Sequence, residues 1–323
     1  MRAFAAALFV LSFGAVAFAQ DAPPPGQPAS PTADVDLGSP VVEALEVVAQ
    51  PPGPALWKVT KGASEVVVLG AVRPLPHSLV WDSTRLDRAL DGASVLLVQP
   101  KFTIGLMDMI RFKVGGTDAR QDKPLEETLP PALRAKFVGA RTAARQQASR
   151  YGKLKPYVAA FMLVGDYREA AGLSAAKPDS TVLKLAKAHK VAVRPVAEYR
   201  VASAIKTASP MSEAASFACL QDAVDEVQWE SDQSRAVAAA WAVGDLRAVR
   251  AAYPPSPLER CFQQMPNAAV VERGTDDSTR AIAAVLAKPG KAVAIVDLNF
   301  LLRPNGVLDR LKAQGATVTV PPG

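Results

Sequence analysis

The sequence predicts an α/β fold: a mixed β-sheet assembled from the N- and C-terminal parts of the chain, with a large helical insertion between them. Three observations predict it. Short, continuously apolar runs at 66–70, 95–98 and 292–296 read as strands buried on both faces. A helical pattern at 82–91 lies between the first two runs, and strand–helix–strand implies a βαβ unit with parallel pairing. Residues 130–250 then carry helical spacing almost throughout before the apolar strands resume.

The elements follow in order. Residues 56–59 and 66–70 form a hairpin about the Lys61-Gly62 turn. Helix 82–91 is capped by Asp82 or Ser83 and turns Leu86 and Leu90 to one face. Helices are predicted at 132–151, 156–171 and 181–189, and in two stretches between 212 and 250. A short strand at 191–196 interrupts them. No fixed period appears, so the helices are an insertion and not a repeat array. A helix at 280–287 and a Pro289-Gly290 turn lead into strand 292–296. Asn305-Gly306 opens helix 307–314, Gly315 ends it, and 317–320 is the last strand. Residues 56–323 therefore read as a single domain with its helical insertion at about 130–270.

The first 19 residues read as a signal peptide: Arg2 as the positive end, an apolar run, and Ala17-Phe18-Ala19 as the cleavage rule. The apolar run is short for a membrane span, and no later stretch is long and apolar enough to be one. Residues 20–55 hold nine prolines and read as a flexible linker. Export to the periplasm or beyond is the expectation. In an oxidising compartment the only two cysteines, Cys219 and Cys261, are expected to pair, the alternative being two buried thiols. Net charge is +6, but acidic and basic residues are interspersed, and no basic run is interleaved with aromatics, so nucleic-acid binding is disfavoured. Two histidines, His77 and His189, exclude any site needing three His ligands. No Gly-x-Ser-x-Gly elbow, P-loop or Rossmann glycine pattern is present.

Several segments, in order, resemble the TraB/GumN family, which includes the Tiki-type metalloproteases. WKVTKGASEVVVLGAVRPLP is similar to the family's first hairpin, which ends in Gly-x-x-His. WDSTRLDRALDGASVLLVQP resembles its helix and strand ending in Glu. LKPYVAAFMLVGDYREAAGL, the Trp241–Leu246 stretch and Val271-Glu272-Arg273 resemble its Lys-Pro helix, Trp-x-x-Gly-Asp-Leu and Glu-Arg-Asn pieces. KAVAIVDLNFLLRPNGVLDRLKAQGATV is similar to its last strand, second Gly-x-x-His loop and closing helix. The resemblance spans roughly 56–320 and implies the same α/β fold.

The resemblance also implies a metal-binding or catalytic set made of the two His and the Glu, and this chain departs from it at all three positions. The first loop is Gly70-Ala71-Val72-Arg73, and a guanidinium has no lone pair for a metal. The Glu position is Gln99, which cannot act as a general base. The second loop is Asp297-Leu298-Asn299-Phe300, and a phenyl ring cannot ligate. Arg273 is retained, but Gly274 follows it in place of Asn. These degenerate positions imply an envelope protein that binds or assists rather than catalyses, with no cofactor and with an unidentified envelope component or a small anionic ligand as partner. Two alternatives stay open. A rearranged hydrolase site would recruit His77, Gln99, Asp297 and Asn299 around a divalent metal such as Mn²⁺ or Co²⁺. An anion site would use Arg73 and Arg273 at the C-terminal edge of the sheet, unless Arg73 pairs with Asp297 instead. Glu198 matches a family Glu in position, and His189 reads as a helix C-terminal residue.

Overall fold

A computed structural model describes residues 53–103, 119–200, 211–264 and 270–321. The expected signal peptide and residues 20–52 of the expected linker lie outside the described residues. The end of that linker is corrected: Gly53, Pro54 and Ala55 are buried. Gly53 adopts φ +94°, and an added Cβ would stand 2.3 Å from the Asp82 carbonyl oxygen, so this glycine belongs to the packed body.

The described strands are, in chain order, β1 (Leu56–Lys61), β2 (Ser64–Ala71), β3 (Leu75–Pro76), β4 (Val95–Val98), β5 (Lys101–Thr103), β6 (Leu173–Ser174), β7 (Ala192–Pro195), β8 (Glu198–Arg200), β9 (Gly290–Asp297) and β10 (Thr317–Thr319). Six of them form one mixed sheet in the order β10-β1-β2-β9-β4-β7. β1 pairs antiparallel with β2 and with β10, whereas β2, β9, β4 and β7 run parallel. The predicted hairpin is present. The C-terminal strand β9 inserts between β2 and β4, which joins the two ends of the chain in one sheet. Its register sets Gly70 opposite Val296 and Ala71 opposite Asp297. The residues that follow β2 and those that end β9 therefore emerge side by side.

Two apolar cores support this frame. One packs the sheet, with Val66, Val68, Leu96, Val293 and Ile295 wholly or almost wholly buried. The other lies among the inserted helices Pro131–Ala143, Pro156–Ala171 and Glu213–Ala242, around Phe137, Leu163 and Leu220. The 30-residue Glu213–Ala242 helix joins the two cores. It is about 45 Å long at 1.5 Å per residue. Its first half places Cys219, Leu220 and Val224 in the helical core, and its last turns place Val237, Ala238 and Trp241 in the sheet core.

Some predicted boundaries shift. The helix expected over 132–151 is broken into Pro131–Ala143 and Ala148–Tyr151, because Arg145 takes φ +56° between them. The helix expected at 280–287 begins earlier, as Val270–Leu286.

Candidate functional site

Arg73 follows β2, Gln99 follows β4 and Asp297 ends β9, so three adjacent parallel strands deliver the three residues to one edge of the sheet. This is the edge at which open α/β sheets hold their ligands. Gly70 sets the first loop. A Cβ there would stand 2.6 Å from both Leu298 Cδ1 and Trp57 Cζ3, so no larger residue fits. Trp241 Nε1 donates to the Gly70 carbonyl oxygen at 2.7 Å, tying the long helix to the same point.

The guanidinium of Arg73 is the centre of the cluster. Nη2 donates to Asp179 Oδ2, and Nη1 lies 3.5 Å from Asp297 Oδ2. Both neighbours of the Gln99 amide, Arg73 Nη1 and the Asp297 N–H, are donors. Its oxygen therefore turns toward them and accepts at 3.1 and 3.2 Å. Tyr253 closes the remaining side: its hydroxyl accepts from the Arg73 N–H at 3.2 Å and donates to the Arg73 carbonyl at 3.3 Å. The Arg73 side chain is only 15% exposed. Burial alone would lower its pKa, but the charges of Asp179 and Asp297 outweigh that and hold it protonated. Burial pushes the Asp297 carboxyl above its usual range, against the pull of Arg73 and of the Asn299 N–H. Burial, and then the charge of Asp297, push the Tyr253 phenol up as well.

The other positions of the second loop are used for packing and capping. Asp297 Oδ1 accepts from the Asn299 N–H at 2.9 Å and caps the Leu298–Leu302 helix. Asn299 Nδ2 donates to the Pro254 carbonyl at 3.3 Å. Phe300 covers Gly274 so closely that a Cβ on Gly274 would stand 2.6 Å from Phe300 Cε2. The Asn that the resemblance implies after Glu-Arg would not fit there. Arg303 lies over the same ring, its Cζ 5.1 Å from the centroid.

The structure therefore brings Arg73, Gln99 and Asp297 together and leaves Arg273 out. Arg273 is exposed on the Val270–Leu286 helix, where its charge acts on the Tyr199 phenol. It shares no hydrogen-bond or ion-pair partner with Arg73 among the described residues. Of the two arginines expected for an anion site, Arg73 has internal counter-charges, one of them the Asp297 anticipated as the alternative. His77 is exposed, with its backbone N–H on the Gly172 carbonyl. Glu198 is exposed on β8. His189 caps the Asp179–Ala188 helix at its C-terminus and faces Asp87 Oδ1 at 2.8 Å. Cys219 and Cys261 are bonded, with Cα atoms 4.6 Å apart, and fasten the long helix to the Pro257–Gln264 helix.

Asp179 and Tyr253 were missed by sequence reasoning. Asp179 follows Pro178 at the start of a helix, where an acid is an ordinary first-turn residue. Its partner is 106 residues away.

The donor set does not fit a divalent metal. A guanidinium, a neutral amide and a phenyl ring stand at the three positions where the resemblance implies ligands, and the two nearby carboxylates, Asp179 and Asp297, are committed to Arg73. Among the described residues no three His, Cys, Asp or Glu side chains gather as a metal cluster.

Fold and site together define a class of α/β protein with a split mixed sheet, a helical insertion, and two facing loops at the ends of neighbouring parallel strands. The chain belongs to the TraB/PrgY/gumN family, whose sequence pattern matches residues 55–320. Neither the search of curated proteins nor that of solved structures returned a match. The Trp, Gly and Gly-Asp residues that carry the resemblance hold the fold together. Trp57 and Trp241 pack at Gly70, Gly244 takes φ +79°, and Asp245 caps the next helix by accepting from the Ala248 N–H at 2.9 Å.

Proposed function

We propose that this chain is an exported, non-catalytic member of the TraB/PrgY/gumN family that acts as a binding or accessory protein in the cell envelope. One observation carries the reading: Arg73 fills the place of a ligand with a fixed cation, and Asp179, Asp297 and Gln99 are arranged to satisfy it. A largely buried guanidinium between two carboxylates is an internal ion cluster, and such a cluster offers no lone pair from the guanidinium to a Lewis acid and commits both carboxylates to a counter-ion. Export is supported by the Arg2-to-Ala19 pattern and by the Cys219–Cys261 bond. Among the described residues no helix is long and apolar enough to cross a membrane.

Two measurements test it. The purified mature protein, incubated with Mn²⁺ or Co²⁺ and a peptide library, is expected to give no turnover. Metal-dependent cleavage abolished by chelator would overturn the non-catalytic reading. N-terminal sequencing of the protein from the periplasmic or culture fraction is expected to begin at Gln20, and a mature chain that still starts at Met1 would overturn export.

A further inference from the structure

Just beyond the end of β9 a cleft of about 450 Å³ opens between the Leu298–Leu302 helix and the segment that carries Arg250, Tyr253 and Glu259. Its apolar part is made by Leu298, Leu302 and the Tyr253 ring; its charged part is made by Arg250, Arg303 and Glu259. Two guanidinium groups thus face one carboxylate, leaving one positive charge in excess. The two arginines differ from Arg73 in how they are held. Arg250 is exposed, and its side chain makes no hydrogen bond or ion pair among the described residues. Arg303 reaches Glu259 only through contacts of 3.4–3.5 Å, longer than an ordinary charged hydrogen bond. Arg303 is nevertheless fixed in direction by Nε on the Asn299 carbonyl at 3.1 Å and by the Phe300 ring. The size and the mixed lining are those of small-molecule sites.

We propose that this cleft receives a small carboxylate with an apolar body, of the alkyl or aryl class. The carboxylate sits between Arg250 and Arg303, and its body lies on Leu298 and Tyr253. The inference rests on the binding-protein reading and gives it a location that is not the family's ligand cluster. The degenerate loop has a direct part in it: Phe300, standing where a metal ligand would be, is the surface on which Arg303 is oriented.

The test is a calorimetric or ligand-observed NMR titration of the full mature chain, with phenylacetate as the probe. Phenylacetamide serves as its neutral counterpart and inorganic phosphate as an anion without an apolar body. The expected result is saturable phenylacetate binding, weakened about tenfold by Arg250→Ala and in the amide, and unchanged by Arg247→Ala, which shares the Leu246–Ala252 helix with Arg250. No saturation, equal binding of the amide or of phosphate, or unchanged binding in the Arg250→Ala protein would each overturn the proposal. Because the titration reads no turnover, its failure is separate from failure of the non-catalytic reading, which the metal-dependent cleavage assay decides alone.

Discussion

The guanidinium of Arg73 donates to the carboxylate of Asp179, a residue that opens a helix in the inserted region, and so ties the insertion to the edge of the sheet. Removing that cation leaves Asp179 and Asp297 facing each other with little water around them. Arg73→Ala is expected to destabilise by about 3–5 kcal/mol, the range for breaking a buried ion pair from one side. The deficit should shrink as pH falls. Burial already raises the Asp297 carboxyl, the variant removes the Arg73 charge that pulls it down, and a raised acid contributes stability at low pH that is lost as pH rises. Urea denaturation at several pH values checks both points. A deficit that is small or independent of pH would show that Arg73 is not the counter-charge of these acids.

Gly274 and Phe300 make the second such relationship. The methyl of Gly274→Ala would stand 2.6 Å from the Phe300 ring. Overpacking of this kind typically costs about 1–3 kcal/mol. Gly274→Ala is therefore expected to lower Tm, and Gly274→Ala combined with Phe300→Ala to recover part of the loss relative to the sum of the two single variants. Additive losses would mean that the ring does not cover the glycine.

The strands β2, β4 and β9 were legible in the sequence because each holds a continuous run of apolar residues. The two-residue pair β3–β6 and the three-residue pair β5–β8 were not, since strands so short carry no periodicity. The break after Ala143 was hidden because Arg145, with neither Gly nor Pro to mark it, takes the positive φ. Arg73, Gln99 and Asp297 were found by their places in ordered motifs at strand ends. Asp179 and Tyr253 were invisible for a physical reason: they meet Arg73 across 106 and 180 residues, and nothing local in an Asp at a helix start or a Tyr after one encodes that meeting. Arg273 is the opposite case: the resemblance offers it as a site residue, and on its helix it is exposed.

The Cys219–Cys261 bond closes a loop with a sequence separation of 42. In the chain-entropy description such a loop is worth about 4 kcal/mol. Reduction, or the double change Cys219→Ser and Cys261→Ser, is expected to lower the urea midpoint by a corresponding amount. It should leave the sheet core folded, because both cysteines lie in the helical core. Amide exchange would read the difference, with protection lost first around Leu220 and last in β2 and β9.

Glu230 gives a pH signature. It is buried in the long helix, takes hydrogen bonds from Arg168 Nε at 2.7 Å and Nη2 at 2.5 Å, and lies one turn from Glu226, which Arg168 also contacts at 3.3 Å. Burial raises its pKa from 4.5 to about 7, although Arg168 pulls it down. The folded state thus binds a proton that the unfolded state has released. The stability this contributes is full below 4.5 and is lost as pH rises toward 7. At about 1.4 kcal/mol per unit the loss is at most about 3 kcal/mol. Glu230→Gln is expected to flatten this slope, so that the variant gains on the wild type between about pH 5 and pH 8. Parallel stability curves for the two proteins would rule out Glu230 as the source.

The ion cluster also predicts its own conversion. Arg73→His would place an imidazole at the end of β2, and Gln99→Glu would place a carboxylate after β4. The change of Arg73 also frees Asp179 and Asp297, both of which now lie against its guanidinium. The double variant then has up to four donors of metal-binding type around the space that one cation fills in the wild type, with opposite charge supplied by the carboxylates. It is expected to bind Mn²⁺ or Co²⁺ at one equivalent, measured by calorimetry or by the spectrum of the cobalt protein. Free metal at about a hundred times Kd should stabilise it by about 2.7 kcal/mol. The wild type and the Arg73→Ala, Gln99→Ala protein should show neither effect. Phe300 still blocks the second loop, so activity is not the expected readout; metal affinity and the accompanying rise in Tm are. A folded double variant that takes up no metal would mean that the carboxylates around Arg73 are not placed as ligands, and that the guanidinium holds apart a site that cannot be restored from this side alone.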